Sequence, residues 1–124
     1  MKTKIKLIWA PYRRHTRSSV RLRVPERPGV YKLARLRQDG KLVVFYVGQA
    51  KGLRGRLLEH LSRSEPNRCI RGWIATGRTY FSYAEVPRQR DRDGAERYLY
   101  ISYRPACNDP RRIPAGPDID ANPR

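Results

Sequence analysis

The chain has 124 residues, enough for one ordinary domain with a modest core and too few for two. Hydrophobic residues make up 39% and charged residues 31%, with 28 Lys and Arg against 11 Asp and Glu, for a net charge of +17. A field this positive repels itself unless a polyanion shares it, so nucleic acid leads the possible partners, ahead of an acidic membrane surface or an acidic protein. Arginine supplies 22 of the 28 cations, and its planar fork of donors suits phosphate oxygens. The longest apolar run, residues 42–47, is far short of a membrane span. The apolar stretch near the N-terminus ends at Ala10 before Arg13 and Arg14, too short for a signal-peptide core. Cys69 and Cys107 stand far apart with no CxxC. They suit neither a disulfide framework nor a zinc site and point to a reducing cytoplasm, although a single disulfide is compatible with the sequence.

In chain order, residues 1–28 carry nine Lys or Arg and one acid, Glu26. Residues 4–9 alternate loosely as a strand does, residues 11–19 read as a basic loop, and Val20, Leu22 and Val24 alternate with Arg21 and Arg23 as a second short strand. Residues 29–37 read as a strand, and Asp39-Gly40 is a hairpin signal. Residues 41–47, rich in Val and aromatics, form the partner strand, broken by Gly48. A helix follows from residues 51–53, with Leu53, Leu57 and Leu61 at i, i+4, i+8. Residues 62–66 form a loop, and residues 68–76 a short helix with Ile70, Trp73 and Ile74 inward. Residues 78–86 give a third strand and residues 88–93 a polar turn. Residues 94–103 give a second strong helix, stopped by Pro105. Four prolines in the last fifteen residues predict an irregular tail. The order predicts an α+β domain with a small, mainly antiparallel three-stranded sheet flanked by helices. Residues 1–27 form a basic extension, 28–109 the core, and 110–124 a Pro-rich tail.

Elimination narrows the chemistry. Only Asp91, Asp93 and Glu96 cluster among the acids, so a two-metal carboxylate nuclease is poorly supplied; His15 and His60 are the only histidines, and there is no phosphate loop or HExxH. A nuclease site here must be poor in carboxylates and rich in Tyr and Arg. An Asp39-Gly40 turn sets Leu33 opposite Tyr46, which makes Tyr31 and Tyr46 diagonal neighbours on one face. Arg56 and His60, four apart, share one face of the following helix.

The ordered set Gly29-Val30-Tyr31, Tyr46-Val47-Gly48, Arg56, His60, Glu96 and, after Pro105, Asn108 resembles the signature of the GIY-YIG nucleases. The likeness runs from Pro28 to Asn108 and is closest over residues 46–61. It implies a small stand-alone GIY-YIG-like domain and a divalent-metal-dependent endonuclease acting on DNA, or on RNA. It further implies one Mg²⁺ or Mn²⁺ on Glu96, the scissile phosphate on Arg56, and attacking water oriented or deprotonated by a tyrosine. In the family the second tyrosine often has that role, which points to Tyr46; His60 is the alternative for proton transfer. Asn108 would fix geometry, Gly48, Lys51 and Arg54 would contact substrate, and Tyr31 would complete the catalytic set. No small-molecule cofactor or membrane is implied, and targeting could fall to a partner protein. Repair-type members tend to carry Lys where this chain has Gln49, which loosens the link to repair.

Each residue also has a structural reading. Tyr31 and Tyr46 could be ordinary strand aromatics, Arg56 a solvated cation, and His60 a helix C-terminal residue. Asp93 and Glu96 fit a capping box, and Asn108 a turn after Pro105. The rival from another class is a non-catalytic nucleic-acid-binding module on the same scaffold, with Trp9, Tyr12 and Trp73 as stacking surfaces; a weaker one is a basic RNA-associated protein with no ordered site.

Overall fold

The computed structural model describes residues 2–121. Its elements in order are β1 (Thr3–Ile5), β2 (Arg13–Arg14), α1 (Arg17–Arg23), β3 (Gly29–Leu36), β4 (Leu42–Ala50), α2 (Leu53–His60), α3 (Arg68–Ile74), β5 (Thr79–Glu85), α4 (Gln89–Tyr103), a 3₁₀ turn (Pro110–Arg112) and β6 (Ile119–Ala121). The fold is α+β. The main sheet is antiparallel in the order β2-β5-β3-β4, four strands rather than the expected three, because Arg13–Arg14 pairs with Phe81 and Tyr80 at the edge. A second, two-stranded sheet joins β1 to β6 in parallel. The Pro-rich tail is therefore ordered through Ala121: its last described residues find backbone partners in the N-terminal strand.

Side-chain alternation along β3 divides the core in two. Tyr31 and Leu33, with Phe45 and Phe81, pack against Val20, Val24, Leu53, Leu57 and Ile70 from α1, α2 and α3. Val30, with Val47 and Ala84, packs against Ala95 and Leu99 of α4 and against Leu7, Ile119 and Ala121. Burying each such large apolar side chain contributes about 1.5–3 kcal/mol.

Strand β4 runs on through Gly48 to Ala50 rather than breaking at Gly48, and two helices also differ from the sequence expectation. Residues 17–23 form a helix, not a strand. Thr16 caps it, its Oγ1 accepting from the Ser19 amide at 3.2 Å. Val20 and Val24 are two apart from Leu22 and four apart from each other, so they satisfy both periods; the cap selects the helix, and Leu22 is left exposed. The second difference is α4, which begins at Gln89, directly after Pro87 and Arg88, five residues before the expected start. Residues 89–93 are thus its first turn. Asp93 and Glu96 lie inside the helix, and the capping-box reading of Glu96 does not hold.

Cys69 in α3 and Cys107 after α4 form a disulfide across 38 residues, with Cα atoms 5.3 Å apart. Constraining the unfolded chain this way typically stabilises by about 2–4 kcal/mol. Disulfides are rare in reducing compartments, so the pair removes the ground on which unpaired cysteines pointed to a reducing cytoplasm. Among the described residues, no helix is long and apolar enough to cross a membrane.

Candidate active site

The β3–β4 hairpin sets the first side chains. Near the turn the pairs are Leu36 with Leu42, Arg35 with Val43, and Ala34 with Val44. The ladder then shifts by one residue, and Leu33 faces Tyr46 while Tyr31 faces Gly48. Phe45 is the extra residue of this bulge. Consecutive residues normally point to opposite faces, but here Phe45 enters the core beneath Trp73 while Tyr46 packs at the margin of the same face. Tyr31 and Tyr46 become neighbours, with ring centroids 6.2 Å apart. Gly48 makes room for this: a Cβ there would sit 2.5 Å from the Tyr31 hydroxyl oxygen.

Helix α2 delivers the next two groups. Leu53 and Leu57 face the core, which turns Arg56 and His60 toward the two tyrosines. The Tyr31 hydroxyl and His60 Nε2 are 2.7 Å apart, and His60 Nδ1 bonds Glu65 Oε1. Glu65 Oε2 accepts from the Asn67 amide at 2.8 Å. With Glu65 accepting at both oxygens, Nδ1 carries the proton, Nε2 accepts, and the Tyr31 hydroxyl donates. All three side chains are buried. Burial pushes the His60 ring below its ordinary value, Arg56 acting in the same direction and the Glu65 contact opposing. Burial also holds the Tyr31 phenol well above its ordinary value, aided by Tyr46 and opposed by Arg56.

In front of this chain lies a cleft of about 310 Å³ whose lining includes Tyr46, Arg56, His60, Glu96 and Asn108. Arg56 is half-buried, and its Nη1 donates to Glu59 Oε1 at 3.0 Å. The Tyr46 phenol is raised by burial, against the pull of Arg56. Glu96 reaches the cleft from α4. Burial raises its carboxyl, as does Asp93, while a hydrogen bond from Gln49 and the charge of Arg56 lower it. Asn108 works on backbone. Its Oδ1 accepts from Val47 N and its Nδ2 donates to Val47 O, both at 2.9 Å, so one side chain imitates a neighbouring strand at the edge of β4. The Cys107 amide donates to Phe45 O at 2.9 Å beside it.

No protein-family model matches the sequence, and no curated protein does. Solved structures do. The magnesium-bound GIY-YIG N-terminal endonuclease domain of UvrC from Thermotoga maritima is 29% identical, with 75% of this chain and 94% of that chain covered at a TM-score of 0.57. A point mutant of the same domain, bound to its catalytic divalent cation, is 28% identical over 75% and 93% at the same TM-score. This chain has the GIY-YIG nuclease fold.

Within that GIY-YIG fold, the residues expected to bind substrate divide. Gly48 lies against Tyr31, as described. Lys51 is exposed in the loop before α2 and is not part of the cleft lining. Arg54 turns the other way, its Nε donating to Val24 O at 2.9 Å, and so ties α2 to the N-terminal segment. Three residues of the site region escaped the sequence reading. Glu65 sits in an irregular loop where no periodicity marks it. Arg112 lines the cleft from the tail, whose composition gave no sign of order. Gln49 was visible only as a departure from the repair-type pattern, and it bonds Glu96.

The donor set fits one hard divalent cation. Among the described residues no three His, Cys, Asp or Glu side chains gather as a metal cluster; three carboxylates line the cleft, of which Glu65 is held by His60 and the Asn67 backbone and Asp109 by Arg111, which leaves Glu96. Mg²⁺ is commonly held by one or two carboxylates, keeps several waters and takes phosphate oxygens, so a single carboxylate facing an open cleft suits it.

Proposed function

We propose that the chain is a divalent-metal-dependent endonuclease that hydrolyses DNA phosphodiester bonds, with Tyr31, Tyr46, Arg56, His60, Glu96 and Asn108 as its site. The observation that carries this reading is the convergence of Tyr46, Arg56, His60, Glu96 and Asn108 on one cleft, in a chain with net charge +17. The cleft sets two guanidiniums, Arg56 and Arg112, and the Tyr46 phenol beside the Glu96 carboxylate. It suits in-line attack on a phosphodiester, where positioning and charge neutralisation do most of the work.

Glu96 would hold the cation, and Mg²⁺ or Mn²⁺, when bound, would supply charge neutralisation at the scissile phosphate and its leaving 3′ oxygen. Arg56 donates to the phosphate oxygens as negative charge develops on them. The Tyr46 hydroxyl accepts a hydrogen bond from the attacking water and orients it toward phosphorus. Taking the proton outright requires the phenolate, which Arg56 favours and burial opposes. His60 stands edge-on to Tyr46, ring centroids 5.4 Å apart, and its donor chain with Tyr31 and Glu65 fixes the wall on which Tyr46 rests. Asn108 keeps β4 in register beneath the site. Surface arginines supply the sequence-independent grip on the backbone.

The test is nicking of supercoiled plasmid by the full chain with Mg²⁺, with Mn²⁺ and with EDTA. Metal-dependent nicking is expected, and Glu96→Gln should abolish it. A chain that binds DNA in a salt-dependent manner but cleaves no DNA or RNA with either metal is a binding module instead.

A further inference from the structure

Gln49 does more than touch Glu96. Its Nε2 donates to Glu96 Oε1 at 2.9 Å and to Asp93 Oδ1 at 2.8 Å, using both amide hydrogens. Its own Oε1 accepts from Gln89 Nε2 at 2.7 Å, and Gln89 Nε2 also reaches Asp93 Oδ1 at 2.8 Å. The Gln89 oxygen accepts in turn from Arg92 Nη2 at 2.8 Å. Arg92 is buried, and its Nη1 donates to Val86 O at 3.0 Å and to Pro87 O at 2.8 Å.

The chemistry of these groups gives the chain a direction. A guanidinium only donates, so Gln89 must present its oxygen to Arg92 and its amide hydrogens outward. Gln49 then presents its oxygen to Gln89 and its hydrogens to the two carboxylates. An amide that could otherwise flip is held one way round from the helix base to the cleft. Helical spacing makes this possible: Gln89, Arg92, Asp93 and Glu96 fall at i, i+3, i+4 and i+7 on one face of α4, and Gln49 descends on that face from β4. Among the described residues Glu96 Oε2 takes no hydrogen bond, so the chain occupies one oxygen of the carboxylate and leaves the other to the cleft.

We propose that Gln49 is the positioning residue of Glu96: its carboxamide, oriented by Gln89 and Arg92, fixes Oε1 of that carboxylate and presents Oε2 to the divalent cation, with Asp93 anchoring the same amide from the other side. The proposal rests on the reading of Glu96 as the cation's ligand. Glu96 lines the cleft and Asp93 does not, so Asp93 acts on the site through the Gln49 amide. Outer groups that orient a ligand typically set about 10–100-fold of metal affinity or activity.

The test is titration of the metal-free full chain with Mn²⁺, followed by calorimetry or electron paramagnetic resonance without DNA, and in parallel cleavage rate against Mg²⁺ concentration. Gln49→Met keeps side-chain length and removes both donors. It should weaken Mn²⁺ binding about 10–100-fold and move half-saturation by Mg²⁺ upward by a like factor, while the rate at saturating Mg²⁺ recovers to within a few-fold. Gln89→Met reaches Glu96 only through the orientation of Gln49 and should give a smaller loss in the same direction. Glu96→Gln should remove binding. Gln49→Met with Mn²⁺ affinity within twofold of the unmodified chain, while Glu96→Gln loses it, overturns the positioning role and leaves the cation reading intact. Glu96→Gln binding as well as the unmodified chain, or an unmodified chain that takes up no Mn²⁺, overturns the cation reading beneath. If Gln49→Met lowers the melting temperature substantially, Gln89→Met decides: unchanged Mn²⁺ affinity there overturns the proposal.

Discussion

Tyr31 and Lys32 are neighbours in β3 and point to opposite faces of the sheet, each carrying a polar group into a buried setting. The two faces treat that group differently. On the Tyr31 side the hydroxyl continues through His60 to Glu65 by hydrogen bonds, every polar end finds a partner, and the chain stands behind an open cleft. On the Lys32 side the ammonium lies 4.0 Å from the centroid of Trp9, 5.2 Å from Tyr12 and 5.4 Å from Tyr103, with one hydrogen bond, to the Tyr103 hydroxyl at 3.3 Å. Ring faces favour the cation while burial draws it down to about 8. A chain of hydrogen bonds has direction and can aim a group at a neighbour. A cage of rings accommodates charge without aiming it. Substitutions in the Tyr31 chain should cost function, and in the Lys32 cage only stability.

The largest effects that would break this contrast lie in the cleft. Arg56→Ala should slow cleavage by roughly 10²–10³, by analogy with loss of one oxyanion donor. Glu96→Gln should be at least as severe, while melting without metal stays within a few degrees; cleavage at the original rate in either variant removes that residue from the site. Next comes the buried acid. Glu65→Ala leaves the His60 Nδ1 proton without its acceptor and should lower stability by about 1–3 kcal/mol in urea unfolding, the range for a buried donor left unsatisfied. It should also slow cleavage under conditions where the variant is folded. A loss below ~1 kcal/mol would mean that Glu65 is not the acceptor that holds His60 Nδ1.

Acid sharpens the picture further. His15 packs beside Phe81, its Nε2 paired with Leu57 O at 2.9 Å, and burial lowers its ring to about 4. His60 is lowered as well. Both rings take protons more readily in the unfolded chain, near the ordinary value of about 6.5. Their contribution is therefore present above that value and is lost as pH falls toward 4. His15 alone accounts for up to ~3 kcal/mol of that loss. Urea unfolding at pH 7 and pH 4.5 measures it, and His15→Gln, which can still donate to Leu57 O, should flatten the slope. The smallest effect is expected at the cage. Lys32→Met should change stability by ~1 kcal/mol or less and leave cleavage within twofold; a large loss of cleavage would show that the second face also aims its charge.

The sequence made some of this legible and hid the rest for physical reasons. Leucine periodicity announced α2, and β-branched runs announced β3 and β4. The contact between Tyr31 and Tyr46 followed from a turn count that holds for an unexpected reason. Asp39-Gly40 is not a two-residue turn: Arg37 and Lys41 close a three-residue loop, the Arg37 amide donating to Lys41 O at 2.8 Å, with Gly40 at φ +84°. That alone would shift the register by one, and the bulge at Phe45 shifts it back. Glu65, Gln49 and Asp93 were opaque as a set because their partners lie 5, 47 and 44 residues away and no local period joins them. The Thr16 cap is readable in the sequence, but Val20 and Val24 match two periods and their alternation with Arg21 and Arg23 favours a strand. The tail looked disordered by composition, yet Gly94 lets it close on α4, where a Cβ would sit 2.6 Å from Ile119.

The bulge in β4 also separates two halves of the hairpin mechanically. On its cleft side the strand is gripped from outside the hairpin, by the Cys107 amide on Phe45 and by both ends of the Asn108 amide on Val47. Beyond Phe45, toward the loop, no such outside grip acts on β4 among the described hydrogen bonds. A ladder with a slack residue between a clamped end and a free end can absorb a change of length. Insertions or deletions at Gln38–Gly40 should then be taken up by growing or dissolving the bulge, with Tyr46 and Gly48 left opposite Leu33 and Tyr31. The loop could be lengthened, shortened or exchanged over generations without the cleft ever losing count.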